Sequence, residues 1–181
     1  MFLAVWVENS FGYTLEEEAN KFYNIRNRNT SYFIEYQLAA IEFAKLIPTD
    51  YPCEGYFTSG YGYRKKPWPE FHDGYDIANK AGTIIRATAP GIVVYSESKR
   101  GYGEYIEINH GYYTTIYGHM RKRLVNVGDE IKKNQIIGEM GSTGRSTGNH
   151  VHYGVKINNR TINPMILWNF NKDFMKPKWL Y

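Results

Sequence analysis

The sequence predicts a mainly β protein, an antiparallel β-sandwich or open barrel carrying an N-terminal helical segment. Three observations lead there. The chain holds 17 Tyr, 9 Phe and 4 Trp with 17 Gly among 181 residues, a mix that favours short strands and tight turns over long helices. From Pro52 onward, apolar residues come in short alternating runs, the period of half-buried strands. Before Pro48 they recur at three and four residues instead, which is helical spacing.

Two helices are expected over residues 14–47. Thr14 precedes Glu16, Glu17 and Glu18, acidic residues that suit a helix N-terminus. Asn27 to Asn29 interrupts the pattern, and Thr30 or Ser31 can cap a second helix whose stripe is Phe33, Tyr36, Ala40, Phe43 and Ile47. Pro48 ends it. Strands are then expected at Ile84–Ala89, Gly91–Tyr95, Tyr105–His110, Tyr112–His119, Val125–Ile131, Gln135–Met140 and His150–Ile157. The runs flanking Gly111 should form one hairpin and those around residues 132–134 another, in a domain of about eight strands. Three parts result: an N-terminal segment over 1–50, a β domain over 51–168 and a tail over 169–181.

Charge separates the first two parts. Residues 1–50 carry four Lys/Arg against seven Asp/Glu, and residues 51–181 carry eighteen against eleven. A basic second part suits an anionic partner such as a cell-wall polymer, nucleic acid or a membrane surface. The single cysteine, Cys53, excludes an intramolecular disulfide and a Cys-based zinc cage; it reads as a small buried hydrophobe. Phe2 to Val7 is too short to span a bilayer and lacks a basic leader, so no signal peptide is visible. The helical stripe leaves open an attachment to a membrane or a longer coiled coil through N-terminal or missing sequence.

The chemistry centres on five histidines. His150 and His152 stand two apart in an expected strand, so both rings share a face, about 7 Å apart along the chain. Either both bind a metal, or one binds it while the other moves protons. His72 and Asp76 would lie about 13 Å apart on a straight strand, but a turn at Asp73-Gly74 folds them onto one site. Strict alternation puts His119 on the face of Tyr113, Thr115 and Tyr117. His110, before a glycine turn, reads as structural. A catalytic zinc takes three His or carboxylate ligands and leaves a fourth position open. His72, Asp76 and one of His150/His152 meet that count, which leaves the other and His119 for proton transfer.

Several stretches resemble the lysostaphin-type, or LytM family, zinc endopeptidases. They are Ser59-Gly60-Tyr61-Gly62-Tyr63-Arg64, His72-x-Gly74-x-Asp76-Ile77-Ala78, Tyr117-Gly118-His119-Met120, and Gly141-Ser142-Thr143-Gly144 with Ser146-Thr147-Gly148-x-His150-Val151-His152. Met120 in place of the commoner leucine and Asn149 before the histidine pair depart from the pattern without removing a reacting group. The resemblance implies Zn2+ held by His72, Asp76 and His152, with His119 and His150 flanking the attacking water and the scissile carbonyl. It also implies a groove lined by Tyr61, Tyr63 and Tyr102, and a bacterial peptidoglycan peptide as substrate rather than nucleic acid. The expected location is extracytoplasmic, in the periplasm or cell wall. The alternative is a non-catalytic relative that binds and activates a wall hydrolase.

Val127-Gly128-Asp129-Glu130-Ile131 resembles the hairpin of biotinyl and lipoyl carrier domains, but Glu139-Met140-Gly141 leads into the histidine loop where a carrier lysine is needed. A phosphate-binding glycine loop at 141–148 lacks the Gly-Lys-Ser/Thr that completes one.

Overall fold

The computed structural model describes residues 46–65 and 69–168. All but the last two positions of the expected helical stretch, and the 169–181 tail, lie outside them. The regular structure among the described residues is almost wholly β. The strands are β1 (Tyr56–Ser59), β2 (Gly62–Arg64), β3 (Glu70–His72), β4 (Tyr75–Ala78), β5 (Ile84–Arg86) and β6 (Gly91–Lys99). They continue with β7 (Gly103–Asn109), β8 (Thr114–Arg123), β9 (Glu130–Ile131), β10 (Ile136–Met140), β11 (His150–Ile157) and β12 (Arg160–Ile162).

Ten of them form one sheet in the order β1-β4-β11-β8-β7-β6-β9, with β10 joined to both β5 and β8, and β12 to β11. β2 and β3 make a separate hairpin. All recorded pairings are antiparallel. The expected mainly β, antiparallel architecture is what the described residues show, and the ten-stranded sheet branches at its longest strand, β8. The segment over 56–78 carries four strands that periodicity missed, because glycines break it into runs of three and four residues.

Two further expectations need correcting. β9 and β10 do not pair: β9 joins β6 through Gly91 and Ile92, and β10 joins β5 and β8. The turn between them, with Asn134 at φ 67° and Gln135 N–H donating to Lys132 O (3.0 Å), sends the chain to other partners. His119 also leaves the face of Tyr117, for a reason that belongs to the site.

One core holds the sheet. Ile77, Ile85, Ile106, Ile108, Ile137, Val151, Tyr153 and Val155 are at most 2% exposed, and each aliphatic side chain so buried contributes roughly 1.5–3 kcal/mol. Alternation along β11 explains its two faces: Val151, Tyr153 and Val155 enter the core, and His150 and His152 point away from it. Pro164 starts a helical turn over 165–168 that stacks Trp168 on Tyr153, ring centroids 5.5 Å apart, with Trp168 Nε1 donating to Asp50 O (3.2 Å). Cys53 packs against the core, and burial pushes its thiol up to about 12, which makes it a poor nucleophile. No helix among the described residues is long and apolar enough to cross a membrane.

Candidate metal centre

Register brings the site together. β11 pairs with β4 so that His152 stands opposite Asp76 and His150 opposite Ala78, while on its other side His152 faces Gly118 of β8. Directly paired residues share a face. His72 arrives from the end of β3, turned back through Asp73-Gly74 as the sequence suggests. That turn lies so close to β11 that a Cβ on Gly74 would sit 2.3 Å from Tyr153 O and 2.8 Å from the His152 ring; only glycine fits.

Three ligand atoms converge. His72 Nε2 lies 3.0 Å from both Asp76 Oδ1 and His152 Nδ1, and His152 Nδ1 lies 3.1 Å from Asp76 Oδ1. All three residues are buried. Around a tetrahedral ion with ligands at about 2.0–2.2 Å, the edges of the tetrahedron run to roughly 3.3–3.6 Å, close to this triangle. The outer nitrogens explain which atoms face inward. His72 Nδ1 donates to Gly60 O (2.7 Å), so its Nε2 presents a lone pair. Asp73 Oδ1 lies 3.1 Å from His152 Nε2, in hydrogen-bonding range but off the N–H direction, since that buried nitrogen has no aligned partner. With the proton on Nε2, Nδ1 also offers a lone pair. Two lone pairs and a carboxylate oxygen aimed at one point repel unless a cation sits between them, so these residues fit a divalent metal.

The electrostatics without an ion say the same. Burial by itself would lower the His152 pKa, yet the carboxylates of Asp73 and Asp76 beside the ring raise it to about 9. Asp76 moves the other way: burial would raise it, and His152 and His72 together hold it well below the usual carboxylate range. The pocket is built for positive charge at its centre.

His119 and His150 form the flank, ring centroids 4.5 Å apart. His119 has φ 61°, a left-handed conformation uncommon outside glycine. It sits at a β-bulge: Tyr117 pairs with Ile106 and Met120 with Glu104, leaving two β8 residues between the pairs opposite one on β7. Tyr117 and Met120 therefore both enter the core, and His119 swings onto the face of Gly118, beside His150 and His152. The alternation expected from sequence ends at this bulge. His119 Nδ1 donates to Thr143 O (2.7 Å) and His150 Nδ1 to Gly148 O (2.9 Å), which leaves both Nε2 atoms for chemistry; that of His150 is 3.7 Å from Asp76 Oδ1. Burial first, then His150, lowers the His119 pKa to about 4, so the ring is neutral near pH 7.

A cleft of about 300 Å³ opens over these rings, lined by Thr58, Ser59, Arg64, Asp76, His119, His150 and the loop 145–149. Arg64 Nη1 donates to Asp76 Oδ2 (3.2 Å) and to Ser59 Oγ (3.1 Å), and Nη2 pairs with Glu70 (2.9 Å). Arg64 thus turns Asp76 Oδ1 toward the histidines, a role no spacing rule announced although Arg64 stood in the Ser59–Arg64 motif. Arg145 pairs with the other oxygen of Glu70 (2.8 Å). The glycine loop spends its polar groups on the protein: Arg145 N–H donates to Gly101 O, His150 N–H to Gly141 O, and the Thr143 hydroxyl to Met120 O. The three tyrosines stand apart from the cleft lining. Tyr61 donates to Thr161 O (2.8 Å), Tyr63 is 74% exposed on β2, and the Tyr102 hydroxyl donates to Asp73.

Residues 70–164 match the family model described as Peptidase family M23. The DD-carboxypeptidase/endopeptidase Mpg of Neisseria meningitidis is 38% identical over 113 residues, 60% of this chain and 26% of that protein. The peptidoglycan DD-endopeptidase ShyA of Vibrio cholerae is 39% identical over 95 residues, 52% of this chain and 22% of the relative. The chain therefore spans about a quarter of the length of the curated relatives it matches. The solved catalytic domain of the antimicrobial peptidase lysostaphin from Staphylococcus simulans superposes with a TM-score of 0.60 at 32% identity, covering 64% of this chain and 92% of that one. A zinc-containing peptidase from Vibrio cholerae gives 0.60 at 35% identity, over 64% of this chain and 38% of the other.

Proposed function

The chain belongs to peptidase family M23, and from that premise we propose that it is a zinc endopeptidase cutting peptide bonds in the crosslinks or stem peptides of bacterial peptidoglycan. The triangle of His72 Nε2, Asp76 Oδ1 and His152 Nδ1, with edges of 3.0–3.1 Å, carries the reading. These three hold the metal. When bound, zinc supplies Lewis acidity, making a water acidic enough to attack near neutral pH and polarising the scissile carbonyl. The protein supplies three of the four tetrahedral positions, one anionic and two neutral ligands, with Arg64 on the outer oxygen of Asp76.

His119 and His150 move the protons. Neutral at its Nε2 and held by Thr143 O at its Nδ1, His119 can accept a proton or, once protonated, donate one. His150 is held the same way by Gly148 O. As a pair they take the proton of the attacking water and return it to the leaving amine. The open cleft, walled by Thr58, Ser59 and 145–149, suits an extended peptide, with Tyr61, Tyr63 and Tyr102 as flanking positions. The substrate carries an extracytoplasmic location with it.

The test is metal content with product analysis. Purified chain is expected to hold about one zinc, and crosslinked muropeptides digested with it should yield uncrosslinked products by mass spectrometry. A zinc-loaded chain that leaves every crosslink type intact would favour the non-catalytic partner of a wall hydrolase; a chain that takes up no zinc ends the reading.

A further inference from the structure

The motif that carries the metal ligands, His72-x-Gly74-x-Asp76, leaves position 73 open, and the residue there makes one of the closest polar approaches in the site. We propose that Asp73 and Tyr102 form a positioning relay behind His152, fixing its proton on Nε2 and its ring angle so that Nδ1 stays aimed at the metal. The inference rests on the zinc site proposed above.

Asp73 Oδ1 lies 3.1 Å from His152 Nε2, and that buried nitrogen has no aligned hydrogen-bond partner, so the carboxylate is the acceptor that a small turn of the ring would engage. The other carboxylate oxygen, Oδ2, accepts the Tyr102 hydroxyl. Tyr102 is itself anchored at both ends. Its carbonyl accepts the His119 N–H (2.7 Å), and its ring lies over His152 with centroids 5.3 Å apart. Room for that ring comes from Gly118, where a Cβ would already touch Tyr102 at 3.3 Å. One residue therefore links the metal side of the site, through Asp73, to the proton-transfer side, through the backbone of His119.

A ligating imidazole that donates its far N–H to a carboxylate is held in one tautomer and is more basic toward the ion; loss of such a partner typically weakens metal binding about 10- to 100-fold. Asp76 cannot serve His152 in this way, because its Oδ1 faces Nδ1 (3.1 Å) and its Oδ2 is taken by Arg64. Asp73 alone reaches the far nitrogen among the groups described around it.

The experiment measures zinc affinity by competition with a chromophoric chelator, and the visible spectrum of the Co2+-substituted chain, for wild type, Asp73→Ala, Asp73→Asn and Tyr102→Phe. Asp73→Ala should weaken zinc binding about 10- to 100-fold and shift the Co2+ bands. Asp73→Asn, which keeps an acceptor oxygen but loses the charge, should fall between it and wild type, and Tyr102→Phe should lose less than about tenfold. Thermal unfolding of the metal-free variants separates a positioning role from a folding defect. Should Asp73→Ala not fold, the near-isosteric Asp73→Asn decides: affinity and spectrum within twofold of wild type overturn the relay. A wild type that binds no zinc would instead end the metal reading, a result distinct from an unaltered variant.

Discussion

His110 and the His72–Asp76–His152 triangle are two corners of one sheet that treat imidazole in opposite ways. At the first corner every ring nitrogen finds a complementary group. His110 Nδ1 donates to Pro90 O (2.6 Å), Nε2 accepts from the Thr115 hydroxyl (2.7 Å), and the ring stacks on Tyr113 at 4.6 Å. Donors and acceptors close, and nothing is left to bind. At the second corner, the outer nitrogens are bonded to Gly60 O or stand against Asp73, while the inner ones meet each other and Asp76 at 3.0–3.1 Å. Lone pairs left facing one another mark a site; paired ones mark architecture.

The sharpest test removes an inner group. Asp76→Asn deletes the one anionic ligand and should lower zinc affinity by at least about 1,000-fold and abolish cleavage, whereas His110→Gln should leave zinc stoichiometry at one per chain. Equal metal loss in both, by elemental analysis, would dissolve the contrast. Next comes the backbone that seats the triangle. Gly74→Ala puts a Cβ 2.3 Å from Tyr153 O and against the His152 ring, so it should cost about 2–3 kcal/mol in urea unfolding and weaken zinc as well; an unchanged midpoint would show that the turn yields freely.

The closed corner has its own signature in pH. Burial lowers the His110 pKa to about 4, below the value near 6.5 of an unfolded chain. The unfolded state therefore takes up the proton first, and the stability this site contributes is present above pH about 6.5 and lost as pH falls toward about 4. The loss is about 3 kcal/mol at most. His119, also lowered to about 4, titrates in the same window, so His110→Gln should remove part of the slope. Urea unfolding of metal-free chain between pH 7 and 4 reads it, and parallel curves for the two proteins would refute the assignment. The smallest effect belongs to the rim. Arg145→Ala breaks an ion pair whose arginine is 48% exposed and should cost under about 1 kcal/mol. Since Arg145 lines the cleft, it should raise KM and leave kcat and zinc alone; a loss of zinc would move Arg145 into the site itself.

Much of this was legible along the chain because it depends on local geometry. A strand reverses face at every residue, so His150 and His152 had to point the same way. Glycine after Asp73 allowed a turn that delivers His72 to Asp76. The mainly β character followed from short alternating runs, and β11 runs from His150 to Ile157 as its alternation predicts. Strands of three or four residues between glycines, such as β1 to β4, carried too little period to be seen, and the partners of β9 and β10 depend on sheet contacts far off in sequence.

What the amino-acid order determined by itself was the supply of ligands and the face that each strand residue takes while alternation lasts. Tertiary structure decided where alternation stops and what stands behind each ligand. The bulge at His119, φ 61°, rotates that ring out of the core's face because the backbone of Tyr102 holds its N–H. Arg64 and Asp73 reach Asp76 and His152 only after four strands have paired. Side-chain period is a property of one strand, whereas bulges and partners behind a ligand arise from contacts between segments 12 to 80 residues apart, which no local pattern encodes.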